Sequence, residues 1–131
     1  MTRGSASASS KPDGHSNPGR PVRLWQWAFG VVLAMQLLVL YAPEVAAGPG
    51  VRGLDKVIHA SIFAAPALAA LMVGIRARWA LGILAAHAPI SELFQHVVLP
   101  HRQGDVFDVM ADLGGVLLGG LAYLVWARRH H

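Results

Sequence analysis

The chain has 131 residues, of which 54% are hydrophobic and only 14% charged, with a formal net charge of +4. A soluble domain carries roughly a quarter charged residues, so this composition describes one compact unit of membrane character. The absence of cysteine excludes disulfides, thiolate metal sites and a cysteine nucleophile. The basic residues sit at segment ends rather than on one face among aromatics, which argues against a nucleic-acid partner.

Residues 1–22 (MTRGSASASSKPDGHSNPGRPV) are polar, rich in Ser, Gly and Pro, and lack an apolar period. They cannot bury enough surface to offset chain entropy, and the expectation is a disordered cytoplasmic tail preceding a membrane domain over 23–128. Four apolar segments follow, at 24–41, 57–74, 79–99 and 107–126. As helices each is roughly 27 to 31 Å long, about one bilayer core. Helices are required because lipid offers backbone groups no partners. The links are short, so the predicted fold is all-α, a four-helix transmembrane bundle of antiparallel neighbours. The first apolar segment is longer than a signal-peptide core and reads as a retained anchor. The small residues Val45, Ala46 and Ala47 offer cleavage after Ala47 as the alternative. Pro66 predicts a kink in the second helix.

Orientation follows from Lys and Arg near the span ends. Eight of the eleven basic residues fall on one side: Arg3, Lys11, Arg20, Arg23, Arg76, Arg78, Arg128 and Arg129. The positive-inside rule therefore puts both termini in the cytoplasm. Trp25, Trp27, Trp79 and Trp126 mark the same cytoplasmic span ends.

Against that frame, residues 91–115 (SELFQHVVLPHRQGDVFDVMADLGG) carry an unusual load of charge. Counted from the outer surface, His59 lies roughly 6 Å down its helix, and Glu92 and Asp112 roughly 10 Å down theirs. Asp55 and His59 are spaced i, i+4. Asp105, Asp108 and Asp112 are spaced i, i+3, i+7, a single stripe that continues as Gly115 and Gly119, a small-xxx-small pattern for close helix approach. Ser91, Gln95 and His87 share a face, with Glu92 and His96 beside it. An Asp at mid-membrane depth costs on the order of 2.5–3.5 kcal/mol, so these groups are expected to converge on an inward, water-accessible pocket.

Plainer roles are available for some of them. Asp55 and Lys56 suit an interfacial helix start, Asp105 and Asp108 suit the cap and first turn of the fourth helix, and Glu92 suits an ion pair with Arg102 or Lys56. His96 and His101 read as interfacial, and His87 as structural.

The pattern Asp55-Lys56-x-x-His59, then Ser91-Glu92-x-x-Gln95, then Pro100-x-Arg102-x-x-Asp105-x-x-Asp108-x-x-x-Asp112-x-x-Gly115 resembles the VanZ-like family of small bacterial membrane proteins, over roughly residues 53–125. Where that family's last motif usually has Asn, this chain has Asp112, which can act as a base as Asn cannot. The resemblance implies a multi-pass protein of the bacterial cytoplasmic membrane, acting at the outer envelope. The family's founding member is associated with low-level resistance to teicoplanin, a glycopeptide antibiotic.

Three functional readings stand on the residues themselves. In the first, the pocket binds the polar or anionic head group of an envelope lipid or cell-wall glycan. Lys56 and Arg102 grip phosphate or carboxylate, and the acids take hydroxyls or an ammonium group; the binding set is Asp55, Lys56, His59, Ser91, Glu92, Gln95, Arg102, Asp105, Asp108 and Asp112. In the second, the site is an intramembrane hydrolase or transferase, with Glu92 and His59 as acid–base pair and a divalent metal on His59, Asp108 and Asp112. In the third, the groups form a proton or ion path, against which stands the lack of ionisable groups other than His87 in the cytoplasmic half. Sequence leaves the enzyme question and the oligomeric state open.

Overall fold

The computed structural model describes Met1 and residues 19–41, 53–99 and 105–130. It contains four helices, α1 (Gly19–Tyr41), α2 (Leu54–Val73), α3 (Ala77–Val98) and α4 (Val106–His130), and no strand among the described residues. The predicted segments and these helices agree to within a few residues. The largest difference is at α1, which begins at Gly19 inside the stretch read as tail; Pro21 sits in its first turn, where its missing N–H costs nothing. Residues 2–18 of that tail, the cleavage position after Ala47, and Pro100, His101 and Arg102 lie outside the described residues.

Helices α1, α2 and α4 are long and apolar enough to cross a membrane, which is the character of a membrane protein. Helix α3 matches them in length, at 22 residues, but carries His87, Glu92, Gln95 and His96 and is the more polar element. The outer surface is apolar: Ile83, Leu93, Val97, Phe107, Leu117 and Leu121 all expose more than half of their area.

Helix α2 ends in a Schellman motif. Gly74 adopts φ 95°, its N–H bonds Leu71 O at 3.0 Å, and Ile75 N–H bonds Ala70 O at 3.0 Å. The chain reverses there within three residues, and Arg76 O receives the first N–H groups of α3 from Trp79 and Ala80. Helices α2 and α3 are each continuous through their internal prolines, Pro66 and Pro89.

The most extensive contact is between α2 and α4, which run parallel, two elements apart in sequence. A Cβ built on Gly115 would lie 2.1 Å from Ala60 O, and one on Gly119 2.4 Å from Ala64 O. The glycine stripe thus seats the backbone of α2 directly on α4, as the small-xxx-small spacing predicts. Gly114 and Gly82 have open space where a Cβ would go. One buried cluster joins all four helices: Leu40 of α1, Phe63 and Ala67 of α2, Leu84 and Ala88 of α3, and Val116 of α4. Phe63, Ala88 and Val116 each lie four residues from a polar residue, His59, Glu92 and Asp112 respectively. This core is therefore the floor of the polar site.

Candidate functional site

At one end of the bundle the start of α2, the end of α3 and the start of α4 come together. The parallel register set by the glycines fixes who meets whom. Lys56 reaches α4, donating to Asp105 Oδ2 at 3.3 Å and forming a tighter ion pair with Asp108 Oδ1. One turn further in, His59 Nδ1 donates to Asp112 Oδ1 at 2.9 Å. The same Nδ1 lies 3.7 Å from Glu92 Oε1 of α3, and His59 Nε2 lies 3.9 Å from Asp55 Oδ1. His59, Glu92 and Asp112 thus come from three helices to one point, as expected, and all three are at least 95% buried.

Asp105 links the layers. Its carboxylate caps α4 by accepting the Phe107 N–H at 3.0 Å, while its own N–H donates to Glu92 Oε2 at 3.2 Å. The Phe107 N–H, reinforced by Lys56, holds the Asp105 carboxyl below the usual carboxylate range. The capping role read for Asp105 is therefore present, and it coexists with a role in orienting Glu92.

Two carboxylate oxygens in this buried group have no hydrogen-bond partner among the described residues: Glu92 Oε1 and Asp112 Oδ2. The Gln95 Nε2 amide, buried on the same helix as Glu92, is likewise unpaired. An unpartnered polar group in an apolar interior costs on the order of 1–3 kcal/mol, and more for a charge. Among the described residues, five carboxyl groups (Asp55, Glu92, Asp105, Asp108, Asp112) face one lysine and one imidazole. The site carries an excess of acceptors.

Several sequence expectations change in detail. Lys56 does not pair with Glu92; it is shared by Asp105 and Asp108, with Asp55 3.9 Å away. Ser91 is fully buried and its hydroxyl donates to Ala88 O at 2.9 Å, so it faces its own helix. The ligand set His59, Asp108 and Asp112 does not assemble as one group. Two other sets do, Asp55 with His59 and Asp108, and His59 with Glu92 and Asp112. His96 is exposed and borders a pocket of about 230 Å³ lined by Glu92, Leu93, Asp105, Val106 and Val109.

Two residues of the apolar first helix escaped the sequence reading. Gln36 is fully buried, with neither side-chain polar atom paired among the described residues, and the Tyr41 hydroxyl shares a 3.0 Å hydrogen bond with His87 Nε2 of α3. A glutamine in an otherwise apolar span was the available signal for the first.

No family model, curated protein or solved structure matches this chain.

Proposed function

We propose that the chain is a VanZ-like multi-pass protein of the bacterial cytoplasmic membrane that binds the head group of an envelope lipid or cell-wall component at this site. In this reading α3 is the fourth crossing, both termini are cytoplasmic and the polar end faces outward. The observation that carries the reading is the pair of buried carboxylate oxygens on Glu92 and Asp112, which find no donor among the described residues. Because Lys56 is already held between two aspartates, the groups left for a ligand among the described residues are two carboxylate oxygens and the Gln95 amide, which suits sugar hydroxyls or an ammonium group better than a bare anion. A link to teicoplanin-type resistance belongs to the same reading.

The shape of the α3/α4 face favours a ligand borne on a lipid. Further along α3 and α4 from the pocket beside Glu92 and Asp105 lies a separate apolar groove of about 420 Å³, lined by Leu81, Gly82, Ala85, Leu113, Val116 and Leu117. At 3.6 residues per turn, both sets of lining residues fall on the same face of α3 and on the same face of α4. From Leu113 to Leu117 the groove follows α4 for roughly 6 Å, room for a few methylenes of an acyl or isoprenoid chain.

The test is to extract the full chain in mild detergent and analyse co-purifying amphiphiles by mass spectrometry. A hydroxyl- or amine-bearing lipid retained by the wild type and lost from Glu92→Gln and Leu113→Trp is expected. Lipids indistinguishable from those on an unrelated membrane protein, and unchanged in both variants, would overturn the reading.

One observation also favours a hydrolase or transferase reading: His59 Nδ1 stands between two carboxylates, 2.9 Å from Asp112 and 3.7 Å from Glu92, an arrangement suited to moving a proton. Turnover of an envelope lipid that Glu92→Gln abolishes without loss of fold would select it over simple binding.

A further inference from the structure

We propose that His59, Glu92 and Asp112 form a three-ligand site for a divalent transition-metal ion. The separations are those of donors sharing one ion. His59 Nδ1 is 2.9 Å from Asp112 Oδ1 and 3.7 Å from Glu92 Oε1. With bonds of about 2.1 Å these correspond to ligand–metal–ligand angles of roughly 90° and 120°. One imidazole and two carboxylates suit zinc or manganese, and offer too few oxygens for calcium.

Two independent features support the assignment. Glu92 Oε1 and Asp112 Oδ2 are buried and unpartnered, and Oε1 is the Glu92 oxygen nearer the shared point. One ligand is also steadied from behind, Glu92 Oε2 by the Asp105 N–H, and the far nitrogen of His59 faces Asp55 Oδ1 at 3.9 Å. A divalent ion neutralises the two carboxylates that bind it, which offsets the buried negative charge of Glu92 and Asp112. Binding moves the His59 proton from Nδ1 to Nε2, where it points toward Asp55. The alternative set of Asp55, His59 and Asp108 is weaker, because Lys56 already occupies Asp108 and Asp55 is exposed. Three protein ligands leave coordination positions open, and Glu92 also lines the pocket read above as the head-group site.

The test uses full-length protein in detergent, stripped by chelator and titrated with zinc chloride alone in a calorimeter. Wild type should take up one ion per chain. Glu92→Gln, Asp112→Asn and His59→Gln should each weaken uptake by at least about tenfold, while Ser61→Ala, on the exposed side of α2, leaves it unchanged. Cobalt loading gives a second readout: visible absorption in the wild type that His59→Gln diminishes. Each variant is compared only after its helical circular dichroism matches wild type. Should Asp112→Asn fail that check, Glu92→Gln and the cobalt spectrum still decide. No saturable uptake by wild type, or uptake lost in Asp108→Asn but retained in Asp112→Asn, overturns the proposal. Retention of the co-purifying lipid by stripped protein that takes up no ion would sink this inference and spare the functional reading. Ion uptake without any specific lipid would do the reverse.

Discussion

His59 and Asp112 are 53 residues apart in sequence, yet the histidine ring donates to the aspartate at 2.9 Å inside the bundle. This contact ties the two parallel helices together one turn above their apolar floor, and its position is set by glycines further down the same stripe. A buried pair of this kind is dearer to break than to replace.

His59→Leu alone leaves the fully buried Asp112 carboxylate without its partner and should destabilise the protein by about 3–5 kcal/mol. Replacing both, as His59→Leu with Asp112→Leu, should recover most of that loss, because apolar side chains of similar size suit the site. Thermal or denaturant unfolding in mild detergent completes the cycle. Additive effects of the two substitutions would show that the pair is not coupled.

Gly115→Ala and Gly119→Ala drive a methyl group into the carbonyl oxygens of Ala60 and Ala64, backbone atoms that cannot turn aside. Each should cost about 1–3 kcal/mol and push α2 away from α4. Gly114→Ala, one residue from the first and facing open space, should be neutral or slightly stabilising. Equal effects at 114 and 115 would contradict the parallel packing.

Asp105 predicts an acid limit. Its carboxyl is held low by the Phe107 N–H and then by Lys56, so its contribution is complete above the ordinary carboxylate value of about 3.9 and is lost as pH falls through the lowered one. Asp105→Asn retains a capping acceptor but cannot titrate. The difference in unfolding midpoint between wild type and this variant should therefore shrink as the medium is acidified. A difference independent of pH would rule the mechanism out.

Tyr41→Phe removes the hydroxyl that joins α1 to His87 on α3 while keeping the ring against Phe94. A loss of about 0.5–1.5 kcal/mol is expected, the worth of one hydrogen bond. No change in unfolding would mean that the bond adds nothing to holding α1 in place.

The helices were legible in the sequence because apolar windows bounded by Gly, Pro and charge leave few other readings; Gly74, at the end of one such window, is the residue that ends α2. The stripe of Asp105, Asp108 and Asp112 likewise fixed which groups share a face of α4. What periodicity cannot specify is the partner of a face. The glycine stripe announced a close approach without naming Ala60 and Ala64, and so the parallel pairing of α2 with α4 was hidden. Which acid Lys56 meets was hidden for the same reason. A long side chain takes whatever acid its neighbouring helix presents, and that neighbour proved to be α4 rather than α3. The start of α1 at Gly19 was masked by a Gly-Arg-Pro stretch whose composition is that of a tail.

Reactivity of introduced thiols distinguishes a wet, outward-opening polar site within the apolar bundle from a dry polar cluster. The chain has no cysteine, so a single introduced thiol is the only reactive one. His96→Cys and Val109→Cys, both lining the pocket beside Glu92, should react with a membrane-impermeant maleimide applied to the outside of intact cells. Arg128→Cys at the end of α4 should react only after permeabilisation. Thiols at 96 and 109 that stay unreactive under both conditions, or react only once the membrane is opened, would contradict the account.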